Sequence, residues 1–218
     1  MVFCLGFFAF ISLEARCENE VRLLALSQYI RSHAPHIQPP IGMNYKQFIE
    51  LVDFMRRHAD FADADVIAVY GSRTNITEGH LPLRESDLDI LVMWRTISKN
   101  QNQLIDKSLV ANSALTPWSK TLGFPVEIQI PGVMSFDTFL QDLSPIFEAI
   151  AQIRQLDQIY DRGQKDPLAY RKAIKTVLND HGSLMNPGAI FIIRNREKAM
   201  RWQIALQQLG FNQIIHLY

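Results

Sequence analysis

Three apolar runs in the first part of the chain have the length and the endings of buried β-strands. Val66 to Tyr70 is rich in β-branched residues and stops at Gly71, as a buried strand does before a turn. Leu88 to Met93 is interrupted only by Asp89, and Phe124 to Ile130 alternates apolar and polar residues. The pattern predicts three strands, of which the last has one apolar and one polar face.

A helical period precedes the first of these strands. Four apolar residues recur at i, i+3, i+4 and i+7 behind Asn44, a residue type that caps helices; they are Phe48, Leu51, Val52 and Met55. Similar signals predict further helices and two short strands. The helices are Glu20–Ser32, Gln103–Ala111 with a break at Thr116-Pro117, Ser135–Arg154 with a kink at Pro145, Asp166–Leu178 and Asn195–Leu209, and the strands are Ala189–Ile193 and Gln213–Leu217.

Prolines indicate where the chain divides. Ala34 to Gly42 contains three prolines and predicts a linker, with a boundary near residue 43. At the C-terminal end, a strand, a helix and a strand have the size of a small accessory region. We therefore predict three parts: residues 1–43 with an apolar segment, a helix and the linker, residues 44–163 as the core, and residues 164–218 as the accessory region.

Composition and charge limit the classes of partner. Lys plus Arg equals Asp plus Glu at 22 each, so the formal net charge is zero and a general polyanion-binding surface is not indicated. Cys4 and Cys17 offer neither a zinc-type spacing nor a disulfide framework. One basic group near the C-terminus could meet RNA or another anion, although a solvated helix start is the simpler interpretation; it consists of Arg194, Arg196, Lys198 and Arg201.

The ends of the first two strands carry the candidate chemistry. Gly71 has no Cβ and lets the backbone approach a ligand, while Ser72 adds a hydroxyl and an amide donor. Residues two apart in a strand share a face, so Asp87 and Asp89 are predicted to project together. Two neighbouring carboxylates repel each other, and Mg²⁺, which prefers carboxylate and phosphate oxygens, would remove that cost. The acids of Asp60 to Asp65 precede a strand, and we interpret them as a solvated loop.

Gly71-Ser72 and Ser86-Asp87-Leu88-Asp89, each next to an apolar strand, together resemble the nucleotidyltransferase superfamily with the DNA polymerase β type of fold. The resemblance covers residues 45 to about 163, with a spacer, Arg73 to Glu85, several residues longer than in minimal members. It implies an α+β core in which helices flank a mixed β-sheet, with a helix before the first strand. It also implies a short closing strand at Gln158 to Gly163.

The resemblance assigns a role to each residue of the motif. Asp87 and Asp89 would hold Mg²⁺ or Mn²⁺. A third carboxylate is expected on an adjacent strand, where Glu127 would bind a second metal or take the proton from the acceptor hydroxyl. The alternative for Glu127 is an exposed strand residue without a role. The nucleotide would be bound by Gly71, Ser72, Ser86 and, as a cationic helper, Arg73.

The implied function is transfer of an NMP from an NTP, with ATP as the favoured donor, to a hydroxyl of RNA, protein or a small molecule. Pyrophosphate leaves, and no DNA partner is expected. A toxin-type effector is one form of this function. The alternative is a catalytically silent nucleotidyltransferase-like module that regulates by binding, as an antitoxin does.

The first residues bear on localisation. Val2 to Leu13 is almost wholly apolar, and its length fits a signal-peptide core better than a membrane-spanning helix. No Lys or Arg precedes it, and Ser12 to Arg16 offers no small-x-small cleavage site. We favour a buried strand or helix, or the remainder of a longer precursor, with a secreted factor as the alternative. Because nucleoside triphosphates are scarce outside cells, we expect a cytoplasmic protein without stable membrane association.

Overall fold

A five-stranded mixed sheet organises the part of the chain that this computed structural model describes, which is residues 3–74, 82, 86–95, 101–129, 136–141, 152–153, 155–181 and 188–218. The strands are β1 (Ala64–Tyr70), β2 (Leu88–Trp94), β3 (Val126–Gln129), β4 (Ile190–Ile193) and β5 (Gln213–His216). The helices are α1 (Phe3–His33), α2 (Tyr45–Arg57), α3 (Gln101–Leu122), α4 (Phe136–Gln141), α5 (Pro167–His181) and α6 (Ala199–Gln208). The predicted α+β class with a mixed sheet is confirmed.

The strand order β3-β2-β1-β4-β5 places β1 at the centre, with all seven of its residues buried. β1 pairs antiparallel with β2 and with β4, while β2 pairs parallel with β3 and β4 with β5. Because of these directions, the end of β1 and the beginnings of β2 and β3 meet at one end of the sheet. The beginning of β1 and the ends of β2, β4 and β5 meet at the opposite end.

Helices cover both faces of the sheet. On one face, apolar residues of α1, α2 and α3 form a single buried cluster with strand residues such as Ile67, Leu88 and Ile90. On the other face, α4 and α6 pack against residues such as Ala68 and Phe191. Burial on both faces explains why β1 and β2 are apolar at nearly every position instead of alternating.

Helix α2, which leads into β1, forms as the sequence predicts. The Asn44 side chain accepts a hydrogen bond from Gln47 N at 2.8 Å, and the Gln47 side chain accepts one from Asn44 N at 2.9 Å. This reciprocal capping box satisfies donors that the first turn of a helix otherwise leaves unpaired. The four residues of the predicted stripe are all buried at 0% exposure: Phe48, Leu51, Val52 and Met55.

Helix α1 is longer than the predicted Glu20–Ser32 and includes residues 3–13 of the apolar N-terminal run, which are therefore helical. Leu26 and Ile30 of α1 join the same buried cluster as the central strands. Residues of the predicted first part of the chain thus pack directly onto the core. Among the described residues, none of the helices combines the length and the apolar character needed to cross a membrane.

The predicted C-terminal strand, helix and strand are present, and the two strands extend the central sheet. β4 lies beside β1, with Val66 opposite Ile193 and Val69 opposite Ile190, and β5 lies outside β4. The strands themselves and helix α5 are confirmed, and the Asp166 side chain accepts a hydrogen bond from Ala169 N at 3.0 Å. Sequence alone showed these elements but not the long-range pairing that joins them to β1.

Three predicted boundaries are wrong. Helix α3 continues through Pro117, which is exposed, to Leu122, although a proline inside a helix removes one backbone hydrogen bond. Residues 155–159 are helical and a turn follows, so Gln158 to Gly163 is not a closing strand. Helix α6 begins at Ala199, and the Asn195 side chain instead accepts a hydrogen bond from Lys198 N in the preceding turn. Within the predicted helix Ser135–Arg154, residues 142–151 lie outside the described residues.

Candidate functional site

Gly71 and Asp89 meet where β1 ends and β2 begins. Tyr70 is the register partner of Asp89 in the antiparallel pair, which brings the next residue, Gly71, over the Asp89 side chain. Gly71 has a φ of +95°, and a Cβ built on it would overlap Oδ2 of Asp89. The glycine is therefore needed both for its backbone conformation and for the space that the Asp89 carboxylate occupies. Asp89 is only 8% exposed.

Glu127 lies directly beside Asp89. The parallel pairing of β2 with β3 makes Asp89 and Glu127 register partners, so their side chains leave the same face of the sheet. The neighbours of Glu127 in the strand, Val126 and Ile128, turn to the other face and are buried in its cluster, while Glu127 itself is exposed. Asp87 is half-buried just before β2. Asp89 on β2, Glu127 on the adjacent strand and Asp87 just before β2 thus lie at one end of the sheet.

The turn after Gly71 is a short 3₁₀ helix, Ser72–Thr74. Thr74 closes it, since its amide and its hydroxyl donate to Gly71 O at 3.2 Å and 3.0 Å. Ser72 is half-exposed at the start of this turn. The predicted Gly-Ser turn is therefore present, and it lies next to the beginning of β2, where Asp87 and Asp89 are.

The buried side chain of Arg73 connects the turn to neighbouring segments. Its side chain is 5% exposed, and it donates from Nε to Ser86 O at 2.6 Å and from Nη1 to Ile41 O at 3.0 Å. Its guanidinium carbon lies 3.6 Å from the centre of the Phe124 ring, a cation–π contact. Burial lowers the pKa of Arg73, and the charge of Asp87 opposes that effect. Arg73 thereby ties the turn to the segment that carries Ser86 and Asp87.

The proline-rich segment before α2 also belongs to this structure. Ile41 N donates to Arg73 O at 2.6 Å, and Gly42, with a φ of +94°, leaves room for the guanidinium of Arg73 and the ring of Phe124. Sequence reasoning treated this segment as a linker and missed these residues. The available signals were the proline run followed by a glycine and the aromatic residue before β3.

The acids of Asp60 to Asp65 are not a solvated loop, and that prediction is wrong in part. Asp65 lies within β1, is 8% exposed and accepts hydrogen bonds from Arg95 Nε at 2.9 Å and Asn195 Nδ2 at 3.1 Å. Asp63 pairs with Lys107 through both carboxylate oxygens, at 2.7 Å and 2.6 Å. These carboxylates hold neighbouring elements together.

The basic group predicted near the C-terminus is largely engaged within the protein. Arg194 donates to the backbone oxygens of Phe61 and Arg56, and Lys198 and Arg201 both pair with Asp137 of α4. The arrangement favours a structural role over a surface for RNA.

In the part of the chain that the structure describes, no three His, Cys, Asp or Glu side chains converge closely enough to hold a metal ion by themselves. Mg²⁺ in phosphate chemistry is typically bound by one or two carboxylates, with substrate phosphates and water completing its shell. The donor chemistry of Asp87 and Asp89 beside the Gly71 turn fits that smaller ligand set. Residues 75–81 and 83–85 of the predicted spacer lie outside the described residues.

Comparison of the chain with known proteins gives no relative from which a role could be inferred: no family model, no curated protein and no solved structure matches it.

Proposed function

We propose that the protein is a metal-dependent nucleotidyltransferase that moves an NMP from an NTP to a hydroxyl group and releases pyrophosphate. One observation carries the proposal: Asp89 is held between the Gly71 turn on one side and Glu127 on the other. A carboxylate beside a backbone turn, with a second carboxylate next to it, is the donor set that Mg²⁺ uses together with substrate phosphates. Gly71, Asp89 and Glu127, to which the resemblance assigns roles, are neighbours at this end of the sheet, which supports the proposal.

In this proposal, the position of each site residue determines its role. The Gly71 turn offers its backbone and the Ser72 hydroxyl to the phosphates of the nucleotide. Asp87 and Asp89 would hold Mg²⁺, which when bound neutralises phosphate charge and stabilises the attacking and leaving oxygens. Glu127, exposed at the same face, is placed to accept the proton of an incoming hydroxyl. Positioning and electrostatics supply most of the rate enhancement in such transfers.

The role of Arg73 in this proposal differs from that of a phosphate-binding cation. Its guanidinium is already engaged with Ser86 O, Ile41 O and the Phe124 ring. It therefore acts as a positioning residue that fixes the start of β2, and with it Asp87 and Asp89, relative to the turn. The phosphate-binding surface is the turn itself.

The double variant Asp87→Asn, Asp89→Asn tests the proposal. Incubation of the purified protein with each labelled NTP, Mg²⁺ and cell lysate should transfer label to the RNA, protein or small-molecule fraction, and the variant should lose this transfer. EDTA should have the same effect on the wild-type protein. Pyrophosphate release by the variant at the wild-type rate would show that the site is assigned to the wrong residues.

A catalytically silent module is the second candidate function. The observation that favours it is that the described carboxylates do not by themselves complete a metal site. Such a protein would regulate a partner by contact, as an antitoxin does. Mg²⁺-dependent NTP binding without label in any fraction would favour this candidate, whereas turnover would exclude it. For the enzyme, the fraction that becomes labelled would decide whether it acts as an RNA- or protein-modifying toxin.

A further inference from the structure

A cleft of about 670 Å³ opens at the opposite end of the sheet from Asp89. It lies where β1 begins and where β2, β4 and β5 end, and α1 and α2 form its remaining wall. The seven residues of β1 separate the two ends by roughly 20 Å at strand rise. The cleft is therefore distinct from the candidate active site, and the inference drawn from it does not rest on the proposed function.

Five arginines line this cleft, from four different elements or their ends; they are Arg22, Arg56, Arg57, Arg95 and Arg194. Among the described residues, two carboxylates are in contact with these arginines. Asp53 pairs with three of the arginines, at 3.0 Å, 3.1 Å and 3.7 Å, and Asp65 pairs with Arg95 at 2.9 Å. Asp63 lies close enough to act on Arg95 and Arg194, but Lys107 occupies both of its oxygens. Glu197, which is exposed, adds one negative charge near Arg95.

The arginines are not fully satisfied by these partners. Nε of Arg56 is buried and has no hydrogen-bond partner within the described part of the chain. Arg194 donates to backbone oxygens of Phe61 and Arg56. Burial lowers the pKa of Arg194, and the charges of Arg95 and Arg56 lower it further. Arginine stays protonated at neutral pH, so the repulsion among these groups persists until an anion enters.

The other walls of the cleft are aromatic and apolar. Tyr29 and Tyr218 both line it, and burial together with the nearby Tyr218 hydroxyl raises the pKa of Tyr29. Tyr29 is therefore a neutral hydroxyl donor at physiological pH. Leu26 and Leu217 add apolar surface. A cavity of this volume has the size of a small-molecule site, for which about 300–1,000 Å³ is usual.

We propose that this arginine cleft is a second binding site, which takes a nucleoside di- or triphosphate with its phosphates on the arginines and its base against the tyrosines. Guanidinium groups match phosphate oxygens in charge and geometry, and a polyphosphate supplies negative charge to the positive excess of the cleft. The carboxylates of the cleft are paired with arginine, so the site binds the anion without a divalent metal.

The experiment is a titration of the full chain with ADP in EDTA and low salt, followed by calorimetry. Wild-type protein should bind ADP, and the double variant Arg57→Gln, Arg95→Gln should bind it about tenfold or more weakly, since hydrogen bonds to charged groups have that weight. These two side chains are 54% and 59% exposed, so the variant should fold. Arg171→Gln, Lys172→Gln removes two exposed charges from α5 and is the matched control, which should bind ADP as the wild type does.

Other outcomes would overturn the proposal. Equal weakening by the matched control would show that ADP follows overall charge and not the cleft. Loss of EDTA-resistant binding in Asp89→Asn would place the ligand at the other end of the sheet. Inorganic phosphate binding as tightly as ADP would remove the nucleoside from the assignment, and a short RNA displacing ADP at far lower concentration would make the ligand a polymer. If the double variant does not fold, Arg57→Gln alone, which leaves the Asp65 pair intact, should still weaken ADP binding.

Discussion

The substitution Gly71→Ala separates backbone strain from interference with Asp89. A φ of +95° costs an L-residue about 1–3 kcal/mol. The added methyl would also overlap the Asp89 carboxylate, and forcing that side chain off its rotamer costs about 0.5–1.5 kcal/mol more. Gly210→Ala is the matched control, because Gly210 has a φ of +88° and a Cβ there meets nothing within 4 Å. The control therefore shares the backbone strain but not the overlap.

Urea denaturation and thermal melting measure the stability difference. We expect Gly71→Ala to be less stable than Gly210→Ala by about 1 kcal/mol, which corresponds to about 2–4 °C in a chain of this size. Mg²⁺-dependent NTP binding and pyrophosphate release should fall in Gly71→Ala and stay at wild-type values in the control. Equal stability and equal NTP binding in the two variants would refute the argument that Gly71 exists to make room for the Asp89 carboxylate.

Two further variants test the contacts of Arg73, which position the site, and the contacts of Asp137 on helix α4. In Arg73→Lys the charge is kept, but a lysine cannot reach both backbone oxygens and stack on Phe124. We therefore expect urea denaturation to show a free energy of unfolding that is lower by about 2–4 kcal/mol. Burial alone would raise the pKa of Asp137, but hydrogen bonds from Trp202 and Lys198 outweigh burial and hold that pKa below its usual 3.8. The stability that this carboxylate contributes is therefore present above pH 4 and disappears as the pH falls further. Melting curves of Asp137→Asn should therefore show lower stability than wild type at pH 7, with the difference shrinking toward pH 2; a constant difference would contradict the assigned pKa.

Local signals account for the elements that the sequence predicted well. Helix α2 has a cap, a period and a buried stripe that all act within thirteen residues, and β1 ends at a glycine that its turn requires. The same reasoning failed at Pro117, where the helix continues on an exposed face, and at Gln158 to Gly163, where a short mixed run has no partner strand among the described residues. In both places the outcome depends on the surroundings and not on the residues themselves.

The candidate site was predictable in its residue types but not in its supports. Asp89 and Glu127 stand out because they are acids within strand patterns, and the parallel register of β2 and β3 then places them side by side. The Arg73 side chain donates hydrogen bonds to backbone oxygens of residues 32 and 13 positions away. A backbone oxygen is present in every residue, so the sequence does not reveal such a partner. The hydrogen bond from Asn195 to Asp65, across 130 positions, is hidden for the same reason.

A formal net charge of zero conceals an unequal distribution along the central strand. Near the end of β1, Asp87, Asp89 and Glu127 gather negative charge, and near its beginning five arginines outnumber the carboxylates that pair with them. Under the two proposals, a phosphate ligand therefore enters the first end together with a cation and the second end alone. The two proposals consequently respond in opposite ways to EDTA: nucleotide binding at the Asp89 end should disappear, and binding in the arginine cleft should remain. Raising the salt concentration should weaken nucleotide binding in the cleft, because salt screens the attraction between the arginines and the anion.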